Sequence, residues 1–164
     1  MNSIFTRTSV RAYTNEVVSE EKIKQLLKAA MAAPSAGNQQ PWEFYVVEDR
    51  DTLEALSKTS PYAGCVKGAS VAIIPCYRTK KLMFPEYAQI DMSIACQNIW
   101  LEATELGLGA VWLGIAPLED RMDAVGKVIG LPEELKAFAI ISVGVPAKVK
   151  DQQDRYDETR IHRL

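Results

Sequence analysis

A chain of 164 residues, 48% of them hydrophobic, is long enough to bury a core without disulfide or metal staples, and we read it as one domain over residues 1–164. Its 19 basic and 21 acidic side chains are intermixed and leave a formal net charge of -2, which excludes a broad basic field for a nucleic-acid backbone, so any anion site is local. No signal-peptide pattern and no bilayer-spanning apolar run is present, and Cys65, Cys76 and Cys96, odd in number and set in apolar segments, read as reduced thiols; a cytoplasmic protein with no membrane and no nucleic-acid partner is expected.

The first feature in chain order is Arg7-Thr8-Ser9-Val10-Arg11, which sets two guanidinium groups and two hydroxyls on one helical turn or curved loop. Guanidinium groups grip phosphate oxygens bidentately and stay charged at any working pH, and hydroxyls serve the oxygens left over. By itself the run reads more readily as a solvated N-terminal helix edge. From residue 19 the apolar Ile23, Leu26, Leu27, Ala30 and Met31 recur at helical spacing, with Ser19 as N-cap and Pro34 as the stop. The stretch Pro34-Ser35-Ala36-Gly37-Asn38-Gln39-Gln40-Pro41 is a loop by composition. Its amides and hydroxyls either face a flat heteroaromatic ring or simply turn the chain in solvent. Residues 42–47 then read as a strand, 49–57 as a short helix and 70–77 as a second strand, in which Pro75 signals an edge or a bend.

Residues 84–106 are the longest helical candidate, with apolar side chains such as Tyr87, Ile90, Met92, Ile94, Ile99 and Trp100 all the way round. Such a helix must be covered on every side. A short strand at 109–113, a helix at 118–129 closed by Gly130 and a buried strand at 137–143 follow, and after Gly144 the pattern gives way to a polar tail, 145–164. Helices and strands alternate only loosely, and several connections are too short for parallel crossovers, so an α+β fold with a mixed central sheet is expected over a doubly wound one. Gly107, Gly109 and Gly114 make no dinucleotide fingerprint, because they follow a helix and Trp112 stands where a close-packing glycine is required. His162 is the only histidine, in the polar tail beside no identifiable nucleophile, and no His, Cys or carboxylate set has ligand spacing; neither a hydrolytic triad nor a metal centre is expected.

Arg7-x-Ser9-x-Arg11-x-Tyr13, followed by Pro34-Ser35-x-x-Asn38-x-Gln40-Pro41-Trp42, resembles the opening of the nitroreductase family of flavoproteins. The similarity runs on through Asp91-x-Ser93-x-Ala95-x-Gln97-Asn98, residues 107–114, Gly130-Leu131-Pro132 and residues 142–146, in family order and over essentially the whole chain, as in the short branch of that family. What the resemblance implies is a mostly antiparallel sheet flanked by helices, a homodimer whose C-terminal arm crosses to the partner subunit, and FMN as cofactor. It implies transfer from NAD(P)H to nitroaromatics, quinones or similar flat acceptors by a ping-pong mechanism, with no catalytic side chain. Arg7, Thr8, Ser9 and Arg11 match residues at the FMN phosphate and ribityl chain. Pro34, Ser35, Ala36, Asn38 and Gln40 match a loop that reaches the flavin of the opposite subunit, and Leu113, Gly114 and Ile115 the backbone near flavin N5. A further basic group near the chain end is expected at the phosphate, Arg160 before Arg155. Many relatives carry a lysine near the flavin pyrimidine edge; Gly64 stands there, with Lys67 displaced. The alternatives are a flavin-storing or redox-sensing protein, or a dehalogenating or flavin-cleaving use of the same scaffold.

Overall fold

The computed structural model describes residues 2–148, 151–152 and 154–164, so positions 149, 150 and 153 of the expected tail lie outside the described residues. Local chemistry starts the helices expected from residues 19 and 49 where the sequence predicts, whereas the stretch expected to be helical from residue 84 becomes so only at Ala88. Helix α2, Glu20–Met31, follows a short first turn, α1, Ser3–Thr6; the Ser19 hydroxyl caps α2 by accepting from Lys22 N at 3.4 Å. Strand β1, Trp42–Val47, leads to α3, Arg50–Leu56, whose Asp49 cap accepts from Thr52 N at 2.8 Å and Thr52 Oγ1 at 2.7 Å. Those two bonds hold the Asp49 carboxyl below the usual aspartate range. Strand β2, Val71–Arg78, helix α4, Ala88–Glu105, strand β3, Gly109–Gly114, and helix α5, Glu119–Ile129, follow in turn, and then the chain forms strands β4, Leu135–Ala137, and β5, Ala139–Gly144.

The fold is α+β. Its sheet has the order β1-β2-β5-β3, with β4 also beside β2, and every pairing between strands is antiparallel. Among the described residues the one parallel pairing is a bridge between Ser9 and Ala110. Strands β2 and β5 are buried at successive residues, hence on both faces, which is why they read as continuous apolar runs.

Pro75 does not mark an edge, because β2 lies between β1 on one side and β4 and β5 on the other. The bend reading stands. Ile73 pairs with Ile141 and Cys76 with Ala137, so two residues of β2 face three of the opposite chain, a bulge centred near Phe138. Phe138 N donates to Pro75 O at 2.9 Å, and since a strand residue's N–H and C=O point the same way, the missing Pro75 donor falls at this bulge.

Helix α4 carries the core on one side only. Met92, Ala95, Cys96, Ile99 and Ala103 are buried against α2 and the sheet, whereas Tyr87, Ile90 and Ile94 are exposed on the outward side. Burying an isoleucine is worth roughly 1.5–3 kcal/mol, so this stripe leaves a comparable gain unrealised in the isolated chain. Among the described residues no helix is long and apolar enough to cross a membrane.

Candidate functional site

The segment carrying the two arginines is neither a helical turn nor a free loop. Beyond α1 it is laid on the outer edge of β3, where Val10 N donates to Ala110 O at 3.0 Å. It then crosses to β5, where the Tyr13 hydroxyl meets Val10 O at 2.9 Å, Ser142 Oγ at 2.9 Å and Ser142 O at 3.1 Å. Burial drives the Tyr13 hydroxyl well above its ordinary pKa, so this anchor stays protonated. Thr8 and Val10 line a cavity of about 230 Å³ with Thr6, Thr104, Leu108 and Pro146. Period-two alternation leaves Arg7, Ser9 and Arg11 on the other side of the segment.

Arg7 is the focus of that side. Its guanidinium lies 4.0 Å from the centroid of the Trp100 ring, and Nη1 is buried without a hydrogen-bond partner. Trp100 is itself fixed, because its Nε1 donates at 3.0 Å to the same Ala110 carbonyl that accepts from Val10. Partial burial first, and the nearby charge of Arg155 second, lower the Arg7 pKa. Of the two tail candidates, Arg155 is thus the one brought toward Arg7; Arg160 is exposed and holds Asp157 Oδ2 at 3.0 Å.

At the other end of β3 the backbone itself is the exposed group. Antiparallel partners alternate between residues bonded to the neighbouring strand and residues facing away. Ala110 faces away from β5, toward Val10 and Trp100, so Trp112 and Gly114, further on by two and four residues, do likewise. Gly114 is exposed while Leu113 and Ile115 are buried, so backbone is presented there and side chains hold it in place. Arg121 approaches the Gly114 carbonyl at 3.5 Å, and its guanidinium lies over the exposed Tyr62 ring at 5.5 Å. By strand rise, about 13 Å separates Ala110 from Gly114.

The amide-rich loop is elsewhere. It precedes β1, at the opposite edge of the sheet, three strand spacings or about 14 Å from β3. Gly37, Asn38 and Gln40 all have left-handed backbone, with φ of 54°, 53° and 46°. Ser35 Oγ accepts from Gln40 N at 3.0 Å, Gln40 Nε2 donates to Asn38 Oδ1 at 3.2 Å, and Arg78 Nη2 donates to the carbonyls of Gln39 and Gln40, each at 2.9 Å. Gly37 packs so closely on Phe84 that a Cβ would lie 2.7 Å from its ring. Pro34 is exposed at the loop entrance, and Ala36 is tied through its N–H to buried Asp91. Gly64, at the position of the displaced lysine, lies in a 3-10 segment, Ala63–Gly68, open enough to accept a Cβ.

The structure therefore gathers Arg7, Thr8, Ser9, Arg11 and Arg155 at one end of the β3 edge and Leu113 to Ile115 at the other, and keeps residues 34–40 across the sheet. Trp100, Asp91, Gln39 and Arg78, which hold these groups, were not anticipated. The one available signal was Asp91, a carboxylate among apolar neighbours in a helix expected to be buried.

An antiparallel sheet with a long helix against it and an N-terminal segment laid on its edge strand is the α+β arrangement of the nitroreductase fold. The chain belongs to the nitroreductase family, whose model matches residues 4–63 and 57–145. It is 42% identical over 167 residues to a protein of Archaeoglobus fulgidus that carries the provisional name NADH dehydrogenase/NAD(P)H nitroreductase, the match covering 99% of this chain and 96% of that one. Among solved structures, a provisionally named NADH oxidase from Clostridium acetobutylicum superposes with a TM-score of 0.94 at 46% identity, covering 98% of this chain and 97% of the other. An FMN-dependent nitroreductase from Clostridium difficile R20291 superposes at 0.91 with 29% identity over 98% and 96% of the two chains.

Proposed function

We propose that this chain is an FMN-dependent oxidoreductase that binds its flavin between two copies of itself and transfers electrons from NAD(P)H to a flat oxidised acceptor such as a quinone or nitroaromatic. One observation carries the two-copy reading: the arginine segment and the Gly114 backbone line one edge of the sheet while the amide-rich loop lies at the opposite edge, so a flavin laid along the β3 edge draws its amide-rich loop from a second copy. The residues present fit the cofactor. Arg7 Nη1 is a buried donor lacking a partner, the kind of atom a phosphate oxygen satisfies.

In this reading the side chains of Arg7, Ser9 and Arg11 bind the phosphate and ribityl chain, joined by Arg155 or Arg160, and Thr8, whose side chain is turned to the other side, contributes backbone only. The outward N–H of Gly114 donates to the ring edge, with Leu113 and Ile115 fixing the strand. Pro34, Ser35, Ala36, Asn38 and Gln40 of the partner subunit close over the ring, and the polar tail from residue 145 covers the neighbouring copy. When bound, FMN supplies two-electron chemistry, accepting from NAD(P)H and then donating to the acceptor in alternate half-reactions. The chain's own part is binding, orientation and exclusion of water, and no side chain is assigned as an acid or base. One domain over residues 1–164 and a reducing cytoplasmic setting, in keeping with three free thiols, complete the reading.

Anaerobic mixing of the purified protein with NADH or NADPH is expected to bleach the flavin absorbance, and rates against menadione or nitrofurazone to give parallel double-reciprocal lines. Flavin that keeps its colour with both nucleotides leaves a storage or sensing protein instead.

A further inference from the structure

We infer that Asp91 is a positioning residue for flavin binding, which acts through Gln39 and Ala36 to hold residues 35–40 in the conformation that presents Asn38 and Gln40. The inference rests on the proposed role of that loop at the flavin of the partner subunit.

Among the described residues Asp91 is the only acidic side chain in the buried class. A buried carboxylate persists only where hydrogen bonds replace its water. Both of its oxygens are spent on the loop: Oδ1 accepts from Ala36 N at 2.9 Å and Oδ2 from Gln39 Nε2 at 2.7 Å. The Gln39 amide has one possible orientation, because Nε2 also donates to Phe84 O at 3.0 Å and Oε1 accepts from Phe84 N at 3.0 Å. Turning it over would set oxygen against the carboxylate and two donors against each other at Phe84 N.

What this chain of bonds restrains is a segment whose backbone is costly to hold. Asn38 and Gln40 are non-glycine residues with φ of 53° and 46°, a conformation that glutamine adopts at a cost. Arg78 holds the same segment from the β2 side by its bonds to the carbonyls of Gln39 and Gln40. Between these two holds, the exposed side chains are those of Asn38 and Gln40. Gln39, the residue between them, faces inward and is the handle by which the loop is gripped.

The test is a cycle of variants read by FMN affinity, by the visible circular dichroism of bound flavin and by thermal unfolding of the flavin-free protein. Asp91→Asn places an amide against the Gln39 amide and is expected to weaken FMN binding on the order of tenfold to a hundredfold, the value of one charge-assisted hydrogen bond. In the double variant Asp91→Asn with Gln39→Glu, the introduced amide donates to the introduced carboxylate, but that oxygen then faces the Phe84 carbonyl that Nε2 had served, so only part of the lost affinity and dichroism is expected to return. Gln39→Ala, which leaves Asp91 bonded to Ala36, is expected to weaken FMN binding without lowering the melting temperature of the flavin-free protein in proportion. Wild-type affinity in Asp91→Asn overturns the inference. If Gln39→Ala loses flavin only in step with lost stability, Asp91 is a structural residue and the inference falls. Wild-type protein that takes up no FMN overturns the functional reading itself, a result distinct from all of these.

Discussion

Arg7 is held in an unfavourable setting that a phosphate would relieve. Its ring stacking on Trp100 is attractive, but one donor is buried without a partner, and Arg155 adds like charge. A doubly charged phosphate supplies an acceptor and cancels the repulsion. Arg7→Ala is therefore expected to weaken FMN binding by about one to two orders of magnitude. Arg11→Ala is expected to do the same or less, since Arg11 is more exposed, and Arg155→Ala to cost more than Arg160→Ala, whose guanidinium is already engaged by Asp157. Fluorescence titration of flavin-free protein checks the order, and equal affinity in Arg7→Ala removes the phosphate clamp. The thiols make a separate prediction. Burial pushes Cys76 up to about 12 and also raises Cys65 and Cys96, as it raises the Tyr13 hydroxyl. Raised acids favour the folded state fully below the ordinary thiol pKa, and that contribution is lost as pH climbs from there toward the folded values. Stability is expected to decline steadily above about pH 9, and a thiol reagent at pH 8 to reach half-buried Cys65 before the other two. Denaturant melts between pH 7 and 10 that do not shift would contradict the first part.

At the scale of elements, the join between the N-terminal segment and β3 is the point on which the site depends. Gly109 opens β3 directly beneath Val10, and a Cβ there would stand 2.6 Å from Val10 Cγ1. Gly109→Ala is expected to lift the segment off the strand, cost about 1–3 kcal/mol of stability and weaken FMN binding as well. Thermal melts and flavin titration of one preparation measure both, and no change in either means that the contact is slack. This join was not legible beforehand, because it pairs residues a hundred positions apart. Elements set by neighbours in sequence were legible: Ser19 caps α2 and Gly130 closes α5 as expected. The continuous apolar runs of β2 and β5 were equally plain. Strand β4 was not, since three residues separated from β5 by a bulge carry no period of their own. Within the site, the residues of the family motifs were named from the resemblance. Trp100 beneath Arg7 and Asp91 behind residues 36–39 are joined to them only by the packing of α4, which no spacing along the chain encodes.

For the whole molecule, the exposed stripe of Tyr87, Ile90 and Ile94 along α4 and its N-cap, and the placing of the proposed flavin contacts at two sheet edges, point the same way. The protein is expected to sediment as a homodimer at micromolar concentration. Ile90→Asp combined with Ile94→Asp is expected to yield monomers that lose flavin while keeping their circular dichroism; a flavin-loaded monomer, from wild type or variant, contradicts the two-copy site. The separation of Arg7 from Gln40 has a consequence for inheritance. With the site shared between two copies as proposed, a chain damaged only at the β3 edge and a chain damaged only in residues 35–40 are each expected to be inactive as pure dimers, yet a mixed dimer would contain one site built wholly from the undamaged parts of both. With free exchange of subunits, roughly a quarter of all sites are restored. Two defective alleles of this gene in one cell would thus complement each other, whereas two alleles damaged at the same edge would not.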